Sequence, residues 1–165
     1  MIENILPAVV NEQTKVLIVG SMPGVQSLEK QQYYGHPRNH FWPIIAHLTR
    51  QAVPDEYDAR LQLATANHIG LWDVIKTCER KGSLDSNIRA EVPNDFATLF
   101  EQYPQIEAVA FNGTKAFSVF KKHVGLDVLA GRQYFQMPST SPVPGKFNKT
   151  FEQKLEIWSQ INKFF

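Results

Sequence analysis

The sequence predicts an α/β domain built around a mostly parallel sheet of four strands, and three observations lead there. Apolar runs short enough for strands (Val16–Val19, Ile69–Ile75, Ile106–Phe111 and Gln133–Met137) alternate with stretches of helical period. That order builds parallel β-α units with right-handed crossovers. Each run is followed by an unusual polar loop, in turn GSMPG, TCERKGSLDS, FNGTK and PSTSPVPG. In a parallel sheet all four loops emerge at one edge, where they can line one cleft. Finally, 165 residues without internal repeat, low-complexity tract or linker suit one domain spanning 1–165, with enough chain to bury a core without staples.

Taken in order, residues 1–14 read as a short helix or arm leading into a strand over Lys15–Gly20. Gly20 cuts that run off and Pro23-Gly24 follows, so a buried strand ends in a tight turn whose backbone can approach a ligand. Tyr33, Tyr34, His36, Arg38 and Asn39 precede the next helix and are read as loop residues held by a rigid strand, where function commonly sits. Helical spacing of Phe41, Trp42, Ile45, Leu48 and Thr49 predicts a helix from His40 or Phe41 to near Ala52 or Pro54, and a second runs over Asp55–Asn67. The strand at Ile69–Ile75 gives way to a polar loop over Thr77–Arg89. Pro93 and Asn94 announce a helix over Asp95–Gln102. The strand at Ile106–Phe111 ends at Asn112-Gly113, a helix follows over Thr114–His123, and a short strand over Gln133–Met137 runs into PSTSPVPG. A last helix is expected from Phe147 to Lys163, because Phe147, Phe151, Leu155, Trp158 and Ile161 share one face.

Composition narrows the chemistry. Hydrophobic content of 43% and charged content of 20% are ordinary for a soluble globular protein. Cys78, the single cysteine, rules out an intramolecular disulfide and a four-thiolate metal site, and fits a reducing interior. With no secretory signal and no apolar run of about 18 residues, the chain is expected in the cytoplasm and off the membrane. A net charge of +1 does not advertise an anionic partner, so any nucleic-acid contact needs a local face. Lys115, Lys121, Lys122, Arg132, Lys146 and Lys149 gather in the second half, and solvated lysines account for such a distribution as well.

Several sharp chemistries fall away. GSMPG lacks the G-x-G-x-x-G spacing of a dinucleotide loop, and Gly113-Thr-Lys115 is no phosphate loop. His36 and His40 are four apart, but Pro37 disfavours the helix that would make them a ligand pair. No metal and no cofactor are indicated. Ser139, Thr140 and Ser141 lack an identifiable base and a G-x-S-x-G elbow. Their loop suits hydroxyl and backbone N–H donation to a phosphate, or simply a solvated turn. Pro142, Val143 and Pro144 add small apolar groups of the kind that enter a base stack.

Four ordered motifs carry a resemblance: GSMPG at 20–24, YYGHPRNHFW at 33–42, FNG at 111–113 and MPSTSP at 137–142. Together they resemble the uracil-DNA glycosylase superfamily, and most closely its hypoxanthine (deoxyinosine) branch, over about residues 15–145. The resemblance implies a three-layer α/β/α domain with a central parallel four-stranded sheet. It implies extrusion of a damaged base from DNA and hydrolysis of its N-glycosidic bond without metal or cofactor. Uracil enzymes carry Asp or Asn in the first motif where this chain has Met22, and a histidine where it has Met137. Their water activation and leaving-group stabilisation are therefore not expected here. By resemblance, Asn39 is the catalytic amide and Tyr34 stacks on the flipped base.

Physical chemistry agrees. Breaking the bond from C1′ to the base makes an oxocarbenium-like sugar and an anionic or hydrogen-bonded base, so positioned dipoles and a positioned water are the main need. Asn39 cannot take a proton, hence its expected role is to orient the water and polarise. Ser21, Met22 and Gly24 are expected to offer backbone N–H groups to the base edge, with Asn112 nearby, while Ser139, Thr140, Ser141, Pro142, Val143 and Lys146 face DNA. Plainer alternatives stand beside these. Asn39 also reads as the cap of the helix at His40, Asn112 as a turn residue, His36 as a hydrogen-bonded loop histidine and one of the tyrosines as a half-buried core residue. Asp73 and Asp85 lie near the cleft without a task.

The expected partner is duplex or single-stranded DNA carrying a deaminated base, chiefly hypoxanthine, met by a monomer. Uracil or mismatched pyrimidine is the alternative substrate. An inactive DNA-binding module and a hydrolase of free nucleosides are the rivals from other classes.

Overall fold

A computed structural model of the chain describes residues 1–142 and 149–165. In chain order its elements are β1 (Ile2–Glu3), β2 (Val16–Gly20), α1 (Val25–Lys30), α2 (Phe41–Leu48), α3 (Tyr57–Ala66), β3 (Ile69–Asp73), β4 (Ile75–Glu79), β5 (Arg89–Pro93), α4 (Phe96–Gln102), β6 (Ala108–Asn112), α5 (Thr114–Val119), β7 (Gln133–Met137) and α6 (Phe151–Trp158). The central sheet has the order β3-β2-β6-β7 and every pairing in it is parallel. Both inner strands are buried over all five residues, VLIVG and AVAFN, as expected where helices cover both faces.

Alternation along β2 divides the core in two. Val16 and Ile18 point to a cluster with Phe41, Trp42, Ile44 and Ile45 of α2 and Trp158 of α6. Leu17 and Val19 point the other way, to Phe96 and Phe100 of α4, Val119 of α5 and Ile75. Two apolar layers on one pleated sheet make the three-layer arrangement, and the strand ends are left free at one rim.

Several expectations are corrected. Of the two readings of residues 1–14, helix or arm, the arm is the one found: β1 pairs antiparallel with β4, and Val9 bridges Leu71. The strand expected over Ile69–Ile75 stops at Asp73, bends at Val74 and continues as β4 in a second, antiparallel sheet of order β1-β4-β5. The two ends of the loop read over Thr77–Arg89, Thr77–Glu79 and Arg89, are therefore strand, and the residues between them remain loop. Helix α1 lies ahead of the first helix the sequence predicts, and it closes with Gln31 in the left-handed region, φ +55°. The helix begun at Thr114 widens after Val119 into a π-turn over Phe120–Val124. The last helix starts at Phe151, where Thr150 and Gln153 form a capping box, and the expected start at Phe147 lies outside the described residues.

Candidate active site

A cavity of about 740 Å³ opens at the rim where the parallel strands end. Gly20 of β2 and Asp73 of β3 are register partners at that rim, as are Asn112 of β6 and Met137 of β7. Gly20, Asp73 and Asn112 line the cavity together with Ser21–Gly24, Tyr34, Asn39, Ser83–Ser86 and Ser139–Pro142.

The GSMPG turn is clamped from the loop after β4. The Ser21 hydroxyl donates to Asp85 Oδ1 at 2.8 Å, Arg80 Nη2 donates to the Pro23 carbonyl at 2.6 Å, and Val25 N–H donates to Ser83 Oγ at 2.9 Å. The Gly20 and Ser21 carbonyls accept from Val74 and Ile75 N–H at 2.8 and 3.1 Å. Ser21 thus has its hydroxyl engaged within the protein. The Met22 side chain is buried in the second apolar cluster while the residue still lines the cavity. Met22 and Gly24 N–H have no intramolecular acceptor among the described residues, which leaves two donors available at the turn.

Residues 31–40 are no loose loop. Gly35 N–H donates to Ser27 Oγ (2.9 Å), Lys30 Nζ to the Gly35 carbonyl (2.9 Å), and Trp42 Nε1 to the Tyr33 carbonyl (3.0 Å). Tyr33 is the core tyrosine, its hydroxyl donating to the Pro7 carbonyl at 2.6 Å. Tyr34 takes φ +55° and stacks on Phe41 with ring centroids 4.0 Å apart, its remaining surface turned to the cavity. Asn39 Oδ1 accepts Phe41 N–H at 2.9 Å; the helix cap itself is His40, so Asn39 meets the first helical N–H from one position earlier, a partial form of the capping alternative. It does not exclude the other: the carbonyl keeps a second lone pair, Nδ2 has no partner among the described residues, and the residue lines the cavity.

The MPSTSP loop is tied to both neighbours. Asn112 Nδ2 donates to Thr140 Oγ1 and Thr140 N–H donates to Asn112 Oδ1, each at 3.0 Å, while the Thr140 carbonyl accepts His40 N–H at 3.0 Å. Thr140, expected to face DNA, is buried; Ser139 is exposed, and Ser141 and Pro142 are half-buried at the cavity edge. Gly113 adopts φ +97°, and a side chain there would come within 3.2 Å of Ser139 Cβ. Val143 and Lys146 lie outside the described residues.

Two acids unassigned by sequence complete the wall. Burial pushes the Asp73 carboxyl up to about 7, against a hydrogen bond from Asn4 and with a contribution from Asp85. Burial raises Asp85 as well, opposed by the Ser21 hydroxyl and Arg80. Burial also raises the Tyr34 hydroxyl. Beside Asn39, burial and the Lys154 ammonium hold His40 below the usual imidazole range, with Lys154 Nζ 3.3 Å from His40 Nδ1. His36 Nδ1 accepts Arg38 N–H at 3.1 Å, a local loop contact. Among the described residues no three His, Cys, Asp or Glu side chains gather as a metal site would need. Sequence alone held no signal for the burial of Asp73, since the bend at Val74 and the arm that covers it are tertiary features.

The family model of the uracil DNA glycosylase superfamily matches residues 7–162. The chain belongs to that superfamily. A curated relative from Methanosarcina acetivorans, named hypoxanthine DNA glycosylase, is 40% identical over 157 residues, covering 94% of this chain and 97% of its own. A second of the same name from Methanosarcina barkeri is 41% identical over 111 residues, 67% and 70% of the two chains. A solution NMR structure from Methanosarcina acetivorans, described as a candidate uracil DNA glycosylase, superposes with a TM-score of 0.80 at 38% identity over 99% of both chains. Within this superfamily member the cavity gathers residues from the GSMPG turn, the loop after β4, Asn112 at the FNG turn and the MPSTSP loop, and from the segment ending at Asn39.

Proposed function

We propose that the protein is a monofunctional DNA N-glycosylase that hydrolyses the bond between the sugar and an extruded deaminated base, chiefly hypoxanthine of deoxyinosine. The observation that carries this is Asn39. Its carboxamide is oriented by Phe41 N–H, keeps a lone pair and both amide protons without a partner among the described residues, and belongs to a residue lining a cavity large enough for a base, about 740 Å³. In the mechanism the base leaves its stack and enters the cavity against Tyr34, whose stacking is worth about 1–3 kcal/mol and partly offsets the cost of extrusion. Met22 and Gly24 N–H donate to the base edge. Asn39 holds the attacking water and lends its dipole to the positive charge growing at C1′, a positioning role that needs no proton transfer to the amide.

Both relatives with the hypoxanthine name favour the purine lesion, as does Met22, whose thioether cannot serve the water as a carboxylate would. Phosphates on either side of the lesion meet Ser139, Ser141 and Lys146, and Pro142 with Val143 fills the gap left in the stack. Thr140 supports these residues from below. The protein acts as a monomer on duplex DNA in the cytoplasm, as one domain.

Duplex oligonucleotides carrying deoxyinosine or deoxyuridine, incubated with the protein and then treated with alkali, test this. Scission at deoxyinosine above that at deoxyuridine is expected. Scission at deoxyuridine alone would make it a uracil enzyme, binding without scission an inactive module, and release only from free nucleosides a nucleoside hydrolase.

A further inference from the structure

Asp73 is a buried acid at the sheet rim that the mechanism above leaves unused, and its two oxygens are not alike. Oδ2 accepts Asn4 Nδ2 at 3.1 Å. The same Nδ2 donates to the Ile75 carbonyl at 3.1 Å, and Asn4 Oδ1 accepts Leu6 N–H at 3.0 Å, so the amide has one orientation only. Oδ1 has no hydrogen bond among the described residues. It stands over Gly20, where a Cβ would lie 2.5 Å from it and 3.3 Å from the Tyr34 hydroxyl. The backbone is pinned too, by register with Gly20 and by Asn94 Nδ2 donating to the Asp73 carbonyl at 2.8 Å. A polar atom held this firmly, 4% exposed as part of its residue and left unpaired on a cavity wall, is arranged for a ligand.

We propose that Asp73 reads the extruded base, its Oδ1 donating a hydrogen bond as a neutral carboxylic acid to the O6 and N7 edge of hypoxanthine, with Asn4 the positioning residue that turns that oxygen to the cavity. This rests on the purine reading of the cavity. The groups facing Asp73 are the hydroxyls of Tyr33, Tyr34 and Tyr57 and the carboxyl of Asp85, with no cation among them, so the neutral form is favoured near neutral pH. Entry of a base removes water and favours it further. Hypoxanthine offers acceptors at both O6 and N7, whereas adenine sets an amino donor against the Asp73 donor. When the C1′–N9 bond breaks, its electron pair leaves with the base and the water oxygen bonds to C1′. Negative charge then spreads to O6 and N7 and strengthens the Asp73 hydrogen bond in the transition state. Asp73 keeps its proton, and the water's proton ends on the released base.

The test measures single-turnover release of hypoxanthine from a deoxyinosine duplex, from about pH 5 to about pH 9, for wild type, Asp73→Asn, Asp73→Ala and Asn4→Ala. A second arm measures binding of uncleavable duplexes with 2′-fluorinated deoxyinosine or deoxyadenosine. Wild-type release should fall about tenfold per pH unit once pH passes about 7. Asp73→Asn, whose amide donates at every pH, should lose that limb and stay within about tenfold of wild type, whereas Asp73→Ala should lose about 10²–10³-fold. Asn4→Ala should move the limb to higher pH, because the bond it removes favours the ionised form. An Asp73→Asn enzyme as poor as Asp73→Ala, or one that keeps the alkaline limb, overturns the proposal. So does wild-type binding that fails to prefer the inosine analogue over the adenosine one. If that preference depends on Asp73 but no hypoxanthine is released, the excision reading fails and the base-reading role stands.

Discussion

Asn112 and Thr140, 28 residues apart, exchange two hydrogen bonds of 3.0 Å in the wall of the cavity. Asn112 also engages the Tyr34 hydroxyl, and Thr140 passes the connection on through its carbonyl to His40 N–H, the residue after Asn39. The end of β6, the MPSTSP loop and the first turn of α2 are thereby one unit. Both residues were legible as site residues, but their chemistry is directed at one another more than at DNA.

Replacing Thr140 by Val removes the acceptor and leaves buried Asn112 Nδ2 with the Tyr34 hydroxyl as its remaining side-chain neighbour. A loss of about 1–3 kcal/mol in stability is expected from urea denaturation, with Thr140→Ser restoring most of it. Excision should fall in parallel, because the frame around Asn39 loosens.

Asn39→Ala should reduce excision by about 10²-fold or more, since a polarising dipole and the seat of the water are lost together. Its stability should fall by only about 1 kcal/mol, the worth of one capping contact to Phe41 N–H. Single-turnover rates beside thermal melts separate the two effects, and a wild-type rate would remove Asn39 from the mechanism.

Tyr34→Phe preserves the stack on Phe41 and should excise within a few-fold of wild type. Tyr34→Ala should weaken capture of the base by about 1–3 kcal/mol, read as a higher enzyme concentration at half-maximal single-turnover rate. An unchanged half-saturation point in Tyr34→Ala would exclude stacking.

Stability should also respond to pH through Asp73. Its carboxyl is raised from 3.8 to about 7 in the fold, so between those values the native state binds more protons than the unfolded chain. Stability therefore falls as pH rises through that window and levels off above it, by an amount bounded at roughly 4 kcal/mol. Asp73→Asn should flatten this dependence and melt above wild type at pH 8, a trade of stability for a site acid. Melts of the two proteins at about pH 5 and pH 8 check the sign.

How far the sequence could be read depends on what decided each element. VLIVG and AVAFN are continuous apolar runs because both faces are covered, and such runs declare themselves. IKTCE and RAEVP form a small sheet with one face open, carry the polar residues of that face, and pass for loop. VQSLEK makes a helix of six residues after Pro-Gly, too short for periodicity to show. Asn39, Tyr34 and the GSMPG, FNG and MPSTSP loops were visible through motif order, and the loop after β4 only as a polar stretch behind a strand. Asp73 and Asp85 were visible only as acids near a cleft, since their environment comes from burial and from Asn4 and Ser21, both distant in sequence.

Gly20 and Asp73 also constrain one another across the two strand ends. The acid occupies the volume that any larger residue at position 20 would claim, so neither site is free to drift alone. Lineages that retain the carboxyl should keep glycine opposite it, and those that traded the acid for a smaller group should tolerate alanine or serine there. That covariation, sought among diverged homologues, would trace when this pocket acquired its acid.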